Sequence, residues 1–273
     1  LDLGSIPTTP TEPTTQPSSL LVYNALGQVL RLELPRALPA SQSWLTIANP
    51  LPPELEPPRL LGVPATEELL LVFTSGRAVT LPLSKLPLVA PHQGGYWTQA
   101  VIPDEPRAIE SLACLVPISR LALADAFLQA SRRGFAKKIN TSLAPSILAN
   151  HFIGTGIRVP ADRTFEIALG KKDDRLALVS AEGYLQVLEV RNLPTAIEEV
   201  IKLGITDHLV SAFIPPAQGS ILVATQTGKL IHRTAEGLET STSFKTKGQA
   251  LLSPSRRQQG VRIVSAISAS ASD

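Results

Sequence analysis

Apolar residues along this chain come in short runs that break at a glycine and resume. The phrase recurs as LLVYNALGQVLRLELPRALP at 20–39, LLLVFTSGRAVTLPLSKLP at 69–87, LALADAFLQASRRGFAKKINTSLAP at 121–145, LALVSAEGYLQVLEVRNLP at 176–194 and ILVATQTGKLIHRTAEGLET at 221–240. Its turn glycines are Gly27, Gly76, Gly134, Gly183 and Gly228. Pro87, Pro145 and Pro194 each follow their glycine by eleven residues, Pro39 follows by twelve, and the last copy has no such proline. Small or polar residues ahead of a glycine suit a tight turn, because glycine takes positive φ without a steric penalty. The flanking Val, Leu, Ile and Thr favour strands. Each copy therefore predicts a β-hairpin, and a hairpin repeated at this period predicts a propeller-like array. Within the fourth copy, Tyr184, Gln186, Leu188 and Val190 share one face while Leu185 and Val187 take the other. Apolar residues on both faces predict sheets sandwiched between neighbouring sheets.

Between the hairpins the chain continues in strand-like runs and turns without a convincing helix. The segment RAIESLACLV at 107–116 could form a short amphipathic helix, but Pro117 and the next repeat favour a strand. Residues 1–19 are rich in Pro, Thr and Ser and read as a disordered linker entering from an upstream domain. The repeats occupy 20–268, and the tail at 269–273 is expected to fray. The chain contains no methionine, which reads as a piece of a longer protein. It shows neither a run of eighteen apolar residues nor a signal peptide, so no membrane association is expected. One cysteine, Cys114, excludes an internal disulfide and reads as a buried thiol in a reducing compartment.

Composition argues against catalysis in this chain. His92, His151, His208 and His232 lack metal-ligand spacing, and no phosphate-loop glycine motif opens a helix. Asp173-Asp174 reads as a polar turn, and Gly154-Thr155-Gly156 as a turn ahead of a strand-like IRV. No catalytic residue, metal site or cofactor is expected. Charge, by contrast, is unevenly distributed. Residues 1–130 carry 7 Lys/Arg against 11 Asp/Glu, whereas 131–273 carry 18 against 12, which points to an anionic partner for the second half. Arg132, Arg133, Lys137 and Lys138 surround Gly134; Lys229, His232 and Arg233 follow Gly228; Lys245, Lys247, Arg256 and Arg257 lie beyond the last hairpin. Such groups on successive blades could meet a phosphate backbone at intervals. A solvated basic edge that merely discourages strand pairing is the plainer alternative.

The phrases LLLVFTSGRAVTLPLSKLP, RRGFAKKINTSLAP and TQTGKLIHRT resemble the C-terminal domain of the A subunit of DNA gyrase and topoisomerase IV. The resemblance implies an all-β fold, a β-pinwheel of about five four-stranded blades. It further implies a non-catalytic domain that binds duplex DNA along a basic outer rim, bends or wraps it, and guides it to the catalytic core. Its partners would then be DNA, the core of the A subunit and the ATPase partner subunit, in a bacterial cytoplasm at the nucleoid. Bending a site of 20–30 base pairs costs on the order of 1–6 kcal/mol, so several phosphate contacts must offset it. The contacts so implied are Arg132, Arg133, Lys137, Lys138, Lys229, Arg233, Lys245, Lys247, Arg256 and Arg257. The family's paired bases after the turn glycine are matched by Lys137 and Lys138 in the third copy, and by His232 and Arg233 in the last. The first copy keeps only Arg31, and the second has Thr80 at that place. The glycine- and arginine-rich box of gyrase is missing; the loop after Pro39 reads ASQSWLTIANPLPPE. That departure counts against tight chiral wrapping and towards a topoisomerase IV-like or divergent gyrase A role. The family's cleaving tyrosine belongs to another domain, and Tyr23, Tyr96 and Tyr184 lack an arginine neighbour. Two other classes stay open on the residues alone, a propeller that binds proteins without DNA and a small-molecule enzyme on a β scaffold.

Overall fold

The computed structural model describes residues 19–33, 59–89 and 110–270. Most of the linker at 1–19, Pro39, His92, Tyr96 and the last residues of the tail lie outside that set. The first repeat supplies β1 (Ser19–Tyr23), β2 (Val29–Glu33) and β3 (Arg59–Val63). The second supplies β4 (Glu68–Phe73), β5 (Ala78–Pro82), β6 (Leu88–Val89) and β7 (Leu112–Pro117). The third supplies β8 (Ala126–Ser131), β9 (Phe135–Asn140), helix α1 (Ala144–Asn150) and β10 (Thr164–Gly170). The fourth supplies β11 (Arg175–Ser180), β12 (Tyr184–Glu189), β13 (Glu198–Glu199) and β14 (Leu209–Phe213). The fifth supplies β15 (Gly219–Thr225), β16 (Leu230–Thr234), β17 (Gln249–Ala250), helix α2 (Pro254–Gln258) and β18 (Ile263–Ser270).

These strands form five sheets, one per hairpin, with the expected hairpins β1–β2, β4–β5, β8–β9, β11–β12 and β15–β16. Each hairpin's first strand also pairs with a later strand of its own repeat, namely β3, β7, β10, β14 or β18. Those five are inner strands, and β7, β10, β14 and β18 pack one on the next. The outer strand comes from elsewhere. Blade 1 receives β6 from the second repeat, blade 3 receives β13 from the fourth, and blade 4 receives β17 from the fifth. Blades 1, 3 and 4 are thus completed by the following repeat.

Five sheets agree with the expected pinwheel of about five blades. Among the described residues three blades have four strands and two have three. Blade 5 comprises β16, β15 and β18 among the described residues. At blade 2 the incoming segment coils into α1 after β9 and contributes a single bridge, Arg77 to Phe152. The helices α1 and α2 are themselves departures from the helix-free reading. Pro145 and Pro254 sit in their first turns, where a missing amide proton costs nothing, and Ser253 caps α2 by accepting from the Arg256 amide. The run Ile157–Val159 is not a strand, whereas Leu112–Pro117 is, as read from the sequence.

Strand alternation divides each sheet between two cores. Leu69 and Leu71 face blade 1, while Leu70 and Val72 face blade 3. Leu176, Leu178, Leu188 and Val190 face blade 3, while Ala177, Val179, Leu185 and Val187 face blade 5. Burying one leucine contributes about 1.5–3 kcal/mol, so the inter-blade faces dominate stability. Cys114 lies in the core between blades 2 and 3, and burial pushes its thiol pKa up, as a structural thiol requires.

The repeated glycines have a second purpose beyond the turn. Gly134 has φ of +87°, and a Cβ there would lie 2.7 Å from the Ile201 carbonyl oxygen. The returning segment crosses at that notch, with the amides of Val200 and Ile201 donating to the Gly134 carbonyl at 3.0 and 3.2 Å. Gly76 admits Ile153, and Gly183 admits Leu251 and Leu252, in the same way. Gly228 also has positive φ, yet nothing lies within 4 Å of its Cβ position, and among the described residues no returning segment crosses there.

Candidate nucleic-acid interface

The outer margin of the disc is built from exchange segments, so cations there sit on two kinds of backbone. The first kind surrounds Gly134 in blade 3. Arg133 donates to the carbonyls of Gly204 (3.0 Å), Ile205 (3.1 Å) and Asp207, all in the fourth repeat. Lys137 donates to the Gly154 carbonyl, and burial lowers its pKa. Lys138 donates to the carbonyls of Val190 and Arg191, at the short 3-10 turn that follows β12. Arg31, which holds the same position after Gly27, reaches the Leu83 and Leu86 carbonyls at the matching turn after β5. A hydrogen bond from a charged donor contributes about 1.5–3 kcal/mol. Arg133, Lys138 and Arg31 fasten successive repeats together, whereas Lys137 ties its hairpin to a later turn of its own repeat. Arg132 turns another way; its guanidinium stands 5.4 Å from the Phe165 ring on inner strand β10.

Exposed cations form the second kind. Lys245 and Lys247 lie just ahead of β17, on the segment that completes blade 4. The Lys245 amide donates to the Val200 carbonyl at 3.2 Å, and the Lys202 amide donates to the Thr246 carbonyl at 2.9 Å. Two exchange segments therefore run side by side, joined by a parallel bridge between Ile201 and Thr246. This pairing gathers Lys202, Lys245 and Lys247. Lys247 Nζ lies 5.6 Å from the centre of the Tyr184 ring and the Arg257 guanidinium lies 5.0 Å from it. Arg257 also donates to the Leu252 carbonyl, while Arg256 is exposed on α2. Lys229 and Arg233 are exposed on the blade 5 hairpin, where Arg233 reaches only the neighbouring His232 carbonyl among the described residues. The blade 5 turn is tied to the end of α2, through Gln226 Nε2 donating to the Gly260 carbonyl at 3.0 Å. Among the described residues, Lys202, Lys229, Lys245, Lys247 and Arg256 form no ion pair.

The structure thus brings Lys245, Lys247 and Arg257 together, keeps Lys229 and Arg233 on the next blade, and turns Arg133, Lys137 and Lys138 into the backbone. Lys202 went unnoticed in the sequence. It follows Gly183 by nineteen residues, as Lys247 follows Gly228, so reading the repeat past its proline exposes it. His151 and His232 belong to a helix end and to a 2.6 Å contact with Ser220, respectively. No three metal-ligating side chains cluster among the described residues. Nor is any helix there long and apolar enough to cross a membrane.

An inner strand, a hairpin and an outer strand lent by the next repeat define a β-pinwheel. Solved structures share this architecture over nearly the whole chain. A DNA gyrase A C-terminal domain matches with a TM-score of 0.67 and 13% identity, over 92% of this chain and 83% of that one. A C-terminal domain of DNA topoisomerase IV matches with a TM-score of 0.55 and 19% identity, over 94% and 79%. The C-terminal domain of E. coli ParC matches with a TM-score of 0.51 and 14% identity, over 92% and 99%. No protein-family model and no curated protein sequence matches the chain. The fold is therefore that of the gyrase A and topoisomerase IV C-terminal domains, in agreement with the sequence resemblance.

Proposed function

We propose that this chain is a non-catalytic DNA-binding and DNA-bending disc of a type II topoisomerase A subunit. In that role it guides duplex DNA to the catalytic core and its ATPase partner subunit in a bacterial cytoplasm. The observation that carries the reading is the unpaired lysine cluster Lys202, Lys245 and Lys247 on two joined exchange segments, in a fold shared with those domains. Lys229, Arg233 and Arg256 extend the contact surface, with Arg257 beside Tyr184. Arg133, Lys137 and Lys138 act mainly by holding neighbouring backbone in position, and Arg132 lies beside the Phe165 ring. Lysine contacts to phosphate carry no sequence information, so binding is sequence-tolerant. Six such contacts give a slope of log affinity against log salt of about −5.

The test is a duplex mobility shift across a salt series, followed by religation of a relaxed plasmid on the protein. Salt-steep binding together with a changed linking number supports wrapping. Salt-steep binding without that change supports a topoisomerase IV-like guide. Absence of binding at low salt overturns the proposal in favour of a protein-interaction disc.

A further inference from the structure

Blades 2, 3 and 4 receive their returning segments in one way, and blade 5 presents the same receiving elements to solvent. In each filled blade the carbonyl of the turn glycine accepts the amide of an aliphatic residue. Gly76 takes Ile153 at 2.7 Å, Gly134 takes Val200 at 3.0 Å and Gly183 takes Leu251 at 2.8 Å. The residue just before each donor lies opposite the one just after the glycine. Phe152 thus faces Arg77, Glu199 faces Phe135 and Ala250 faces Tyr184. Each donor's side chain is buried in the core between the receiving blade and the next one.

At blade 5, Gly228 keeps a φ of +75°, and its Cβ position has nothing within 4 Å. Its carbonyl accepts no hydrogen bond among the described residues. β16 pairs with β15 on one side and with no strand on the other among those residues. Leu230 stands two residues after Gly228, as Ala78, Ala136 and Leu185 stand after their glycines. Those three are at most 1% exposed, whereas Leu230 is 69% exposed. On the face turned away from blade 4, Leu230 lies opposite Ala224, and Leu222 lies opposite Ile267, itself 49% exposed. An open strand edge binds extended peptides through main-chain hydrogen bonds, and alternate side chains set the specificity. The residue that would face such a strand is Lys229, which is exposed and forms no ion pair among the described residues. A carboxylate directly across from it complements its charge. We propose that the Gly228 notch, the edge of β16 and the Leu230 face bind an extended segment of a partner protein, in which an acidic residue precedes two aliphatic ones. The chain's own Glu199-Val200-Ile201, seated at Gly134, has that sequence. The site does not depend on the rim reading.

The test titrates the 273-residue chain with a synthetic peptide of residues 196–204, AIEEVIKLG, following amide nitrogen–proton chemical shifts. Saturable shifts centred on Gly228, Lys229 and Leu230 are expected. Gly228→Asn fills the notch with a residue that tolerates positive φ, so it should abolish those shifts while the rest of the spectrum holds. Lys229→Glu, on the exposed turn, should weaken binding about fivefold, and a peptide carrying Glu199→Lys should restore it. Shifts that never saturate, shifts centred on Gly134, or unchanged affinity in both variants overturn the site. Self-association of the chain without peptide, lost in Gly228→Asn, makes a second copy the occupant and overturns the partner-protein reading. Failure to shift duplex DNA leaves all these outcomes as they stand.

Discussion

Blade 3 and the outer margin of blade 4 carry the same residue types and put them to opposite uses. Around Gly134, Arg133 and Lys138 reach inward to carbonyls of the following repeat, whereas Lys202, Lys245 and Lys247 stand on the exchanged backbone with no such carbonyl among the described residues. The difference arises from chain order. A base within a hairpin lies where the next repeat's segment returns and finds backbone carbonyls there. A base on the returning segment is already outside that seam and faces solvent. Local density of Lys and Arg is therefore a poor guide to an interface in a strand-exchanged fold; the position within the repeat is a better one.

The sharpest way to break this comparison is at the notches. Gly134→Ala should cost roughly 3 kcal/mol, combining the strain of positive φ with collision against the Ile201 carbonyl. Gly228→Ala meets open space and should cost only about 1 kcal/mol. Urea unfolding of the two variants reads the difference, and equal losses would sink the seam argument.

Next in size are the cations themselves. Arg133→Met should destabilise by about 2 kcal/mol in the same assay while leaving the salt slope of DNA binding nearly intact. The triple change of Lys202, Lys245 and Lys247 to glutamine should do the reverse. Its melting temperature should hold, and the salt slope should shrink by about 2.7. If Arg133→Met flattens the slope as much as the triple change, the division of labour is wrong. Lys138→Met, by loss of carbonyl contacts at the 3-10 turn, should cost about 1 kcal/mol without affecting the slope.

Smallest is a pH effect at the axis. Burial raises the Glu166 carboxyl pKa above its ordinary value near 4.5, and Arg59 only partly offsets this. In that case the unfolded chain releases its proton first as pH rises. Stability from this group therefore declines from about pH 4.5 through the raised pKa. Thermal melts across that window should slope downward for the native chain and flatten in Glu166→Gln. An unchanged slope would remove Glu166 as its source.

Much of the fold could be read from residues. The five glycine turns, the two-faced strands and the disc of blades follow from spacing and alternation, and Leu185 against Leu188 already separates the two cores. The strand exchange could not, because β6, β13 and β17 are two-residue strands whose pairing is set by the path of the chain rather than by composition. For the same reason the rim was only half legible. Lys245 and Lys247 stood out as a basic pair, while Lys202 sits alone in an apolar run, VIKLG, and acquires neighbours only through the bridge from Ile201 to Thr246. Arg133 and Lys138 looked like surface charge because sequence shows the donor and hides the distant carbonyl.

The lending of outer strands also orders the assembly of the molecule in time. As the chain leaves the ribosome, the hairpin of blade 3 exists before residues 198–202 have been made, and the notch at Gly134 stays open until they arrive. Completion therefore lags emergence by one repeat all along the chain. The natural unit to delete, duplicate or transplant is then not a blade but the stretch from one notch glycine to the segment that fills it, since a cut between blades strands a borrowed edge on each side.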